Sequence, residues 1–223
     1  MEAEEWKARL VQAVAQQVRK VRLERGISVQ RLADICSEEY GVPMKRSVLA
    51  NFEGGRRPAL SLVELLVIAR ILEVPPVQLL FPVGLQETTE VLPDKVVDTW
   101  AALKWFTGEA PQLPDDQPSD TAERNAAPVR LFRRHEQLVA DWQRSNRQLG
   151  EAMATMGTTP DSHIVQLASQ ALNQLGESIK EVRQQMRRRG LTPPELTPDL
   201  TYVDANGEDR PQYTPLTDEE DES

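Results

Sequence analysis

The side chains best suited to bind a ligand are concentrated between Lys45 and Arg57. Lys45, Arg46 and Ser47 are followed by Asn51 and, after two glycines, by Arg56-Arg57. An arginine can donate two hydrogen bonds to the acceptors of guanine, an asparagine amide matches adenine, and lysine and arginine bind phosphate. This cluster is of a type that binds nucleic acid, although solvated basic side chains without a ligand have the same composition.

Composition argues against several other kinds of site. The chain has 223 residues and one cysteine, which excludes an internal disulfide and a cysteine-rich zinc site. Its two histidines, His135 and His163, are too few for a histidine-built metal or catalytic centre. We therefore expect no catalytic residue, no metal and no cofactor. No small-molecule ligand is evident, and we expect that the protein is not an enzyme.

The patterns of secreted and membrane proteins are also missing from the sequence. The first ten residues, MEAEEWKARL, contain no apolar run of the kind found in signal peptides. The longest apolar stretch, Leu60 to Val77, is interrupted by charged side chains and is too short to span a membrane. These features predict a cytoplasmic protein with no membrane partner.

Charge is distributed unevenly along the chain, whose formal net charge is -9. Residues 1–82 carry 12 basic and 10 acidic side chains, and residues 128–190 carry 10 and 6. Residues 83–127 carry 3 basic and 9 acidic side chains, and residues 191–223 carry 1 and 10. Basic structured segments combined with an acidic tail are typical of proteins that bind nucleic acid.

The elements that must position the basic cluster are predicted as five short helices within residues 1–82. Apolar residues recur at intervals of three and four in each of them. Ser28 and Ser61 stand where N-caps are expected, and Gly26 stands where the first helix should end. The third helix covers about Arg46 to Glu53. Such short helices are stable only around a shared core, so the predicted fold class is all-α.

The rest of the chain divides into three predicted parts. Residues 83–127 are predicted as a partly helical linker, with one amphipathic helix from Asp94 to Thr107 and a Pro-rich connection from Pro111 to Pro118. Residues 128–190 show two longer amphipathic patterns joined by a turn, which predicts a helical hairpin. Residues 191–223 are rich in proline and acid, which predicts a disordered acidic tail.

The first 82 residues resemble a known family. The run from Val14 to Ser28, the run from Arg46 to Arg57 and the segment from Ser61 to Leu80 are together similar to the Cro/C1-type helix-turn-helix regulators, the xenobiotic-response-element family. The resemblance covers about residues 10–82. It implies a five-helix, lambda-repressor-like DNA-binding domain whose third helix enters the major groove of double-stranded DNA.

Residue roles follow from this resemblance and from side-chain chemistry. At the start of the third helix and one turn later, Arg46, Ser47 and Asn51 are predicted to read bases. The predicted contacts to the DNA backbone are Ser28, Lys45, Arg56 and Arg57. Asn51 could instead brace its own helix. The resemblance also implies a structural role for Glu53.

Two features depart from the family pattern. Val29 stands where the family usually has a glutamine that touches the DNA backbone. Glu38 to Tyr40 lengthen the connection between the second and third helices, either as a loop or as an extension of the second helix. Two acidic side chains there would repel phosphates, so we expect this turn to point away from DNA.

The predicted hairpin carries narrow apolar stripes that would leave one face exposed. Pairing two hairpins into a four-helix bundle would bury both faces, which predicts a homodimer through residues 129–189. The predicted dimerisation residues are Leu138, Trp142, Leu149, Ile164, Leu175, Ile179 and Val182. The alternative is a monomer whose hairpin folds back on its own N-terminal domain.

Two functions from different classes fit this sequence. The first is a sequence-specific, DNA-binding transcriptional regulator that acts as a repressor-type dimer. The second is a helical protein-interaction module, an antitoxin or an adaptor, that uses the same fold to dock a protein partner. Three aromatic residues between Trp100 and Glu109 predict either a helix packed on the N-terminal domain or an anchor for a partner.

Overall fold

The computed structural model describes residues 2–56, 59–156 and 163–204, and it divides the chain into two compact units. We call Met1–Ser119 the N-terminal unit and Asp120–Ser223 the C-terminal unit. The described chain is mostly helical and includes a two-stranded sheet and a long helical hairpin. No helix within these ranges combines the length and hydrophobicity of a membrane span.

Five helices occupy the first part of the N-terminal unit, as the apolar spacing predicts. They are α1 (Glu2–Glu24), α2 (Val29–Glu38), α3 (Arg46–Glu53), α4 (Leu62–Ile71) and α5 (Pro76–Leu80). All five contribute to one core in which Leu32, Phe52 and Ile68 are fully buried. Cys36 lies in this core, and burial raises the pKa of its thiol to about 11. With 23 residues, α1 is not a short helix like the other four, whereas the sequence predicted short helices for all five.

Serine side chains begin two of these helices, as the sequence predicts. Ser28 Oγ accepts a hydrogen bond from the Arg31 amide at 3.0 Å. Ser61 Oγ accepts from the Glu64 amide at 3.2 Å, and the Glu64 carboxylate accepts from the Ser61 amide at 2.7 Å. This reciprocal pair is a capping box, which satisfies two amides that a helix start otherwise leaves without partners.

Beyond α5, residues 83–127 are partly helical as predicted, but the expectation that they form a linker is wrong, because they contain a strand pair and a core of their own. Strands β1 (Thr88–Leu92) and β2 (Lys95–Asp98) form an antiparallel pair, and α6 (Thr99–Phe106) follows. The fold class is therefore not purely all-α. Part of the predicted helix from Asp94 to Thr107 is β2, because Pro93 and Asp94 form a turn and the helix begins only where Asp98 caps the Ala101 amide.

A second apolar core stabilises this region of the N-terminal unit. Val91, Val97, Leu103 and Leu113 are buried together with Phe81. Leu113 lies inside the Pro-rich stretch that composition identified as a linker, so that prediction is also wrong. The Asp116 carboxylate accepts the Leu113 amide at 3.1 Å and contacts Lys95 of β2, which fixes this stretch in place.

The C-terminal unit contains the predicted helical hairpin, formed by α7 (Asp120–Met156) and α8 (His163–Arg188). Helix α7 begins eight residues before the predicted boundary and continues through Pro128. Proline is favoured at the start of a helix and disfavoured inside one, which is why the sequence placed the boundary there. The predicted turn at residues 157–160 lies outside the described residues.

A segment that the sequence predicted as disordered packs on this hairpin. Residues 191–204, here called the strap, end in a 3-10 helix (Pro198–Asp204) with Leu200 and Val203 fully buried. The Trp142 indole donates to Tyr202 Oη at 3.2 Å. A Cβ at Gly176 would lie 2.6 Å from that oxygen, so a glycine permits the contact. The remainder of the predicted tail, 205–223, lies outside the described residues.

Candidate nucleic-acid interface

Helix α3 presents one face to the core and the other to solvent. Leu49 and Phe52 are buried among the other helices of the N-terminal unit. The three predicted base-reading side chains, Arg46, Ser47 and Asn51, are all exposed. The structure therefore brings them to one solvent-facing side of a helix whose other side is fixed.

The N-terminal end of α3 is electropositive. Lys45 occupies the N-cap position with an extended backbone and provides no side-chain cap. Its carbonyl accepts the amides of Val48 and Leu49, whereas the amides of Arg46 and Ser47 meet no acceptor among the described residues. The side chains of Lys45 and Arg46 are exposed and form no ion pair within the described chain. Unpaired amides and two cations at a helix start attract anions.

Asn51 and Arg56 are paired with each other. Arg56 Nε donates to Asn51 Oδ1 at 3.1 Å, and the Arg56 amide donates to the Asn51 carbonyl at 2.7 Å. Asn51 therefore braces the turn that follows its own helix, which is the alternative that the sequence left open. Both side chains are exposed, and the Asn51 amide nitrogen still offers two donors. Arg57 lies outside the described residues.

Ser28 is the N-cap of α2. Its hydroxyl oxygen caps the helix, as described above, and the side chain is exposed. The hydroxyl proton remains available to an acceptor, because a serine can accept and donate at the same time. The position therefore remains compatible with a phosphate contact.

In the lengthened connection between α2 and α3, Glu38 is the last residue of the helix and the residues after it form a loop. Helix α2 ends at Glu38, and Glu39 and Tyr40 lie in the turn that follows. Ser37 Oγ closes the loop by accepting the Met44 amide at 3.0 Å and donating to the Met44 carbonyl at 3.2 Å. The exposed side chain of Glu39 lies 3.7 Å from that of Arg31.

Sequence reasoning missed Met44, which is buried in the same core as Leu49. The two residues flank the N-cap Lys45 at the positions of a hydrophobic staple, which fixes the angle at which a chain enters a helix. An apolar residue directly before a basic N-cap was the available signal. This packing orients the end of α3 that carries Lys45 and Arg46.

A buried ion pair fixes the other end of α3. Both oxygens of Glu53 accept from the Arg22 guanidinium at 2.6 Å, and Arg22 also donates to the Ile27 carbonyl at 2.7 Å. The bond to Glu53 raises the pKa of Arg22 despite the opposing effect of burial. The structural role that the resemblance implies for Glu53 is thus present, whereas its partner Arg22 was not foreseen.

Most of the predicted dimerisation residues are covered within one chain. Trp142, Leu149, Ile179 and Val182 are buried, and Leu138 and Leu175 are partly buried, by α7, α8 and the strap. Ile164 is 66% exposed. The premise that two helices leave one stripe open is wrong, because the strap supplies a third layer.

A comparison with protein-family models, with curated proteins and with solved structures finds no match to this chain.

The stretch from Trp100 to Glu109 belongs to the N-terminal unit. Helix α6 contributes Ala102 and Leu103 to the second core, and the ring of Phe106 packs edge-on against Phe81 with centroids 5.3 Å apart. The interpretation as a packed helix therefore accounts for this stretch. Trp100 stays about half exposed, with Lys104 Nζ 5.9 Å from its ring centroid.

Metal chemistry finds no support among the residues that the structure describes. No group of three or more His, Cys, Asp or Glu side chains in these ranges is placed to hold a metal ion. His163 is exposed at the start of α8, whereas His135 is buried in the C-terminal unit against Arg183. His135 is therefore a buried histidine whose Nε2 atom has a hydrogen-bond partner within the unit.

Proposed function

We propose that this protein is a sequence-specific DNA-binding regulator of transcription that places the N-terminal end of α3 in the major groove. The observation that carries the proposal is the exposed, uncapped start of α3 with Lys45 and Arg46 beside it. Buried contacts of Met44, Leu49 and Glu53 hold both ends of that helix. A rigid helix with a cationic exposed end is what major-groove reading requires.

Roles can be assigned to individual side chains within this proposal. Arg46 reads a guanine through two hydrogen bonds, with Ser47 beside it. Asn51 reads an adenine through its amide, which requires that Arg56 release Asn51 Oδ1 and turn to a phosphate. Lys45, Ser28 and Arg57 hold the phosphate backbone. The resulting arrangement is that of a five-helix, lambda-repressor-like domain of the Cro/C1-type family.

The proposal includes a homodimer, because one such unit contacts too few base pairs to be specific within a genome. Two copies would read half-sites roughly 34 Å apart. Exposed Ile164 and Leu167 near the start of α8 offer apolar surface for pairing. Sedimentation equilibrium of the wild type and of Ile164→Lys tests this, since a monomeric wild-type chain that binds DNA as one copy would contradict it.

A second candidate function is a protein-docking module, and one feature of the N-terminal unit favours it. Leu62, Val63 and Leu66 form an exposed apolar patch on α4, and each is between 47% and 70% exposed. Apolar patches of this kind mark interaction surfaces. A docking module would bind its partner through α4 and would not bind DNA.

Fluorescence anisotropy with labelled duplex DNA separates the two functions. Selection from a random duplex pool first supplies a preferred sequence, and affinity is then measured for it and for random duplex at several salt concentrations. We expect an affinity that falls steeply with salt and that prefers the selected sequence. A chain that binds neither duplex at about 50 mM salt, within the salt range over which such contacts are strong, would refute DNA recognition and favour docking.

A further inference from the structure

A groove of about 890 Å³ runs along α7 in the C-terminal unit. Its walls are mainly apolar, with Val129, Phe132, Val139 and Ala140 contributed by α7 and Pro194 by the strap. Phe132 is 39% exposed, so its ring offers apolar surface to the groove. The volume and the lining match those of sites that hold small organic molecules.

His135 provides a polar group within this apolar lining. The side chain is 3% exposed, and it lines the groove. Its Nε2 lies 3.0 Å from Arg183 Nη1. Because a guanidinium can only donate, Nε2 must accept, and the imidazole proton is then on Nδ1. Among the described residues, Nδ1 meets no hydrogen-bond partner.

Neighbouring groups keep this imidazole neutral. Burial lowers the pKa of His135, the Arg183 cation lowers it further, and Asp204 acts in the opposite direction. A neutral ring with a fixed tautomer presents one N–H donor that no described protein group uses. The Nδ1 atom is not among the fully buried polar atoms that lack a partner, so it is open to solvent in the groove, where a ligand acceptor would replace water.

The wall formed by the strap is held by the same arginine. Arg183 donates to the Pro194 carbonyl at 2.6 Å and to both oxygens of Asp204 at 2.9 and 2.6 Å. The ring of His135 and the position of Pro194 therefore depend on one buried guanidinium. These two parts of the groove are held in place by hydrogen bonds within the protein, which lowers the entropic cost of binding there.

We propose that this groove binds an apolar small molecule that carries a hydrogen-bond acceptor, such as a ketone or ester carbonyl, which receives the Nδ1–H of His135. The charged lining side chains Arg133, Glu136 and Glu195 are exposed and of mixed sign, which favours a neutral ligand over a strongly charged one. The site lies in the C-terminal unit, so it adds a ligand-binding function to the proposed reading of DNA.

Prodan, a neutral naphthalene with a ketone, is a suitable probe because its emission shifts to the blue in apolar surroundings. The full chain is titrated with prodan and with 2-dimethylaminonaphthalene, which lacks the ketone. We expect saturable, blue-shifted prodan binding. Ala140→Phe fills the groove and should weaken it by more than about tenfold. Gln148→Phe, at an exposed position of α7 outside the groove, is the matched control and should leave it unchanged.

His135→Gln tests the placement of the donor, because the glutamine oxygen keeps an acceptor for Arg183 while its amide N–H groups no longer lie where the imidazole Nδ1–H does. We expect prodan affinity to fall by about three- to tenfold, the size of one neutral hydrogen bond, and the affinity of the ketone-free probe to stay unchanged. If this variant fails to fold by circular dichroism, the wild-type chain still decides the question. Equal affinity for the two probes in the wild type would overturn the assigned acceptor contact.

Two other outcomes would overturn the proposal as a whole. Unchanged prodan binding in Ala140→Phe would place the probe outside the groove. A homodimer that Ala140→Phe dissociates, and that excludes prodan, would show that a second copy occupies the groove. None of these measurements uses DNA, so failure of the ligand site and failure of DNA recognition remain distinguishable.

Discussion

The guanidinium of Arg22 and the carboxylate of Glu53 face each other through two nitrogen–oxygen distances of 2.6 Å, and both side chains are 6% exposed. This bond ties the end of α1 to the end of α3. A third hydrogen bond from Arg22 holds the Ile27 carbonyl just before α2 begins. One buried cation therefore sets the relative positions of three helices, including the proposed recognition helix.

Removal of one partner of this pair is expected to be costly. Glu53→Ala leaves a buried, uncompensated guanidinium and should lower the free energy of unfolding by about 3–5 kcal/mol. Hydrogen exchange of the α1 and α3 amides in urea measures the change. Arg25→Gln is the control, because the Arg25–Glu73 pair is exposed and should contribute less than about 1 kcal/mol. Equal effects of the two substitutions would contradict this ranking.

Arg46→Ala is expected to reduce sequence discrimination. The loss of a bidentate contact to guanine should cost about 1–3 kcal/mol on the selected sequence and relax the preference at one base pair. Random duplex should be affected much less. Arg70→Ala, which removes an exposed arginine near the end of α4, is the control for net charge. A uniform loss of affinity on both duplexes would show that Arg46 contacts phosphate.

Arg56→Ala is expected to act differently from Arg46→Ala. If Arg56 binds a phosphate, its removal should weaken binding to every duplex and make the salt dependence shallower by about one unit of slope. The substitution also releases Asn51 Oδ1, so it should not impair the reading of adenine. Anisotropy titrations on the selected and random duplexes measure both quantities. A loss confined to the selected sequence would assign Arg56 to base reading or to the support of Asn51.

The strap is expected to contribute to the stability of the C-terminal unit. Leu200→Ala removes a fully buried side chain and should cost about 2–5 kcal/mol. Thr197→Ala, at an exposed strap position, should cost less than about 0.5 kcal/mol. The change in stability is measured by hydrogen exchange of the α8 amides and by the rate of proteolysis within residues 191–204. Rapid cleavage of the wild-type strap would show that it is not packed in solution.

The sequence predicted those elements whose signals are local. Ser28 and Ser61 marked two helix starts because a capping serine acts on amides only three residues away. The strap was missed because its apolar residues are sparse among prolines, and because Leu200 finds its core on helices that lie far away in sequence. The Arg22–Glu53 bond was missed for the same reason, since 31 residues separate its partners.

Composition misled the interpretation between residues 83 and 127. Acidic and proline residues suggested a linker, yet Val91, Val97 and Leu113 are enough to form a small second core with Phe81. For the candidate interface, the sequence was enough to predict which polar side chains α3 exposes. It could not supply the Asn51–Arg56 bond, which depends on how the chain turns at Gly54 and Gly55.

The stability of the C-terminal unit is expected to fall as the pH drops from about 7.5 to 5. The pKa of His135 is lowered by burial and by Arg183, so below about 6.5 the unfolded chain binds a proton that the folded chain does not. The loss should reach at most about 1.4 kcal/mol per pH unit. Asp204 adds nothing in this window, because Arg183 lowers its pKa to about 2 and its contribution is lost only between about pH 4 and 2.

The measurement is urea unfolding, followed by the fluorescence of Trp142 in a chain whose three other tryptophans have been replaced. His135→Gln should flatten the pH dependence, whereas His163→Gln, at an exposed position, should retain it. An equal slope in His135→Gln and in the wild type would assign the effect to another group.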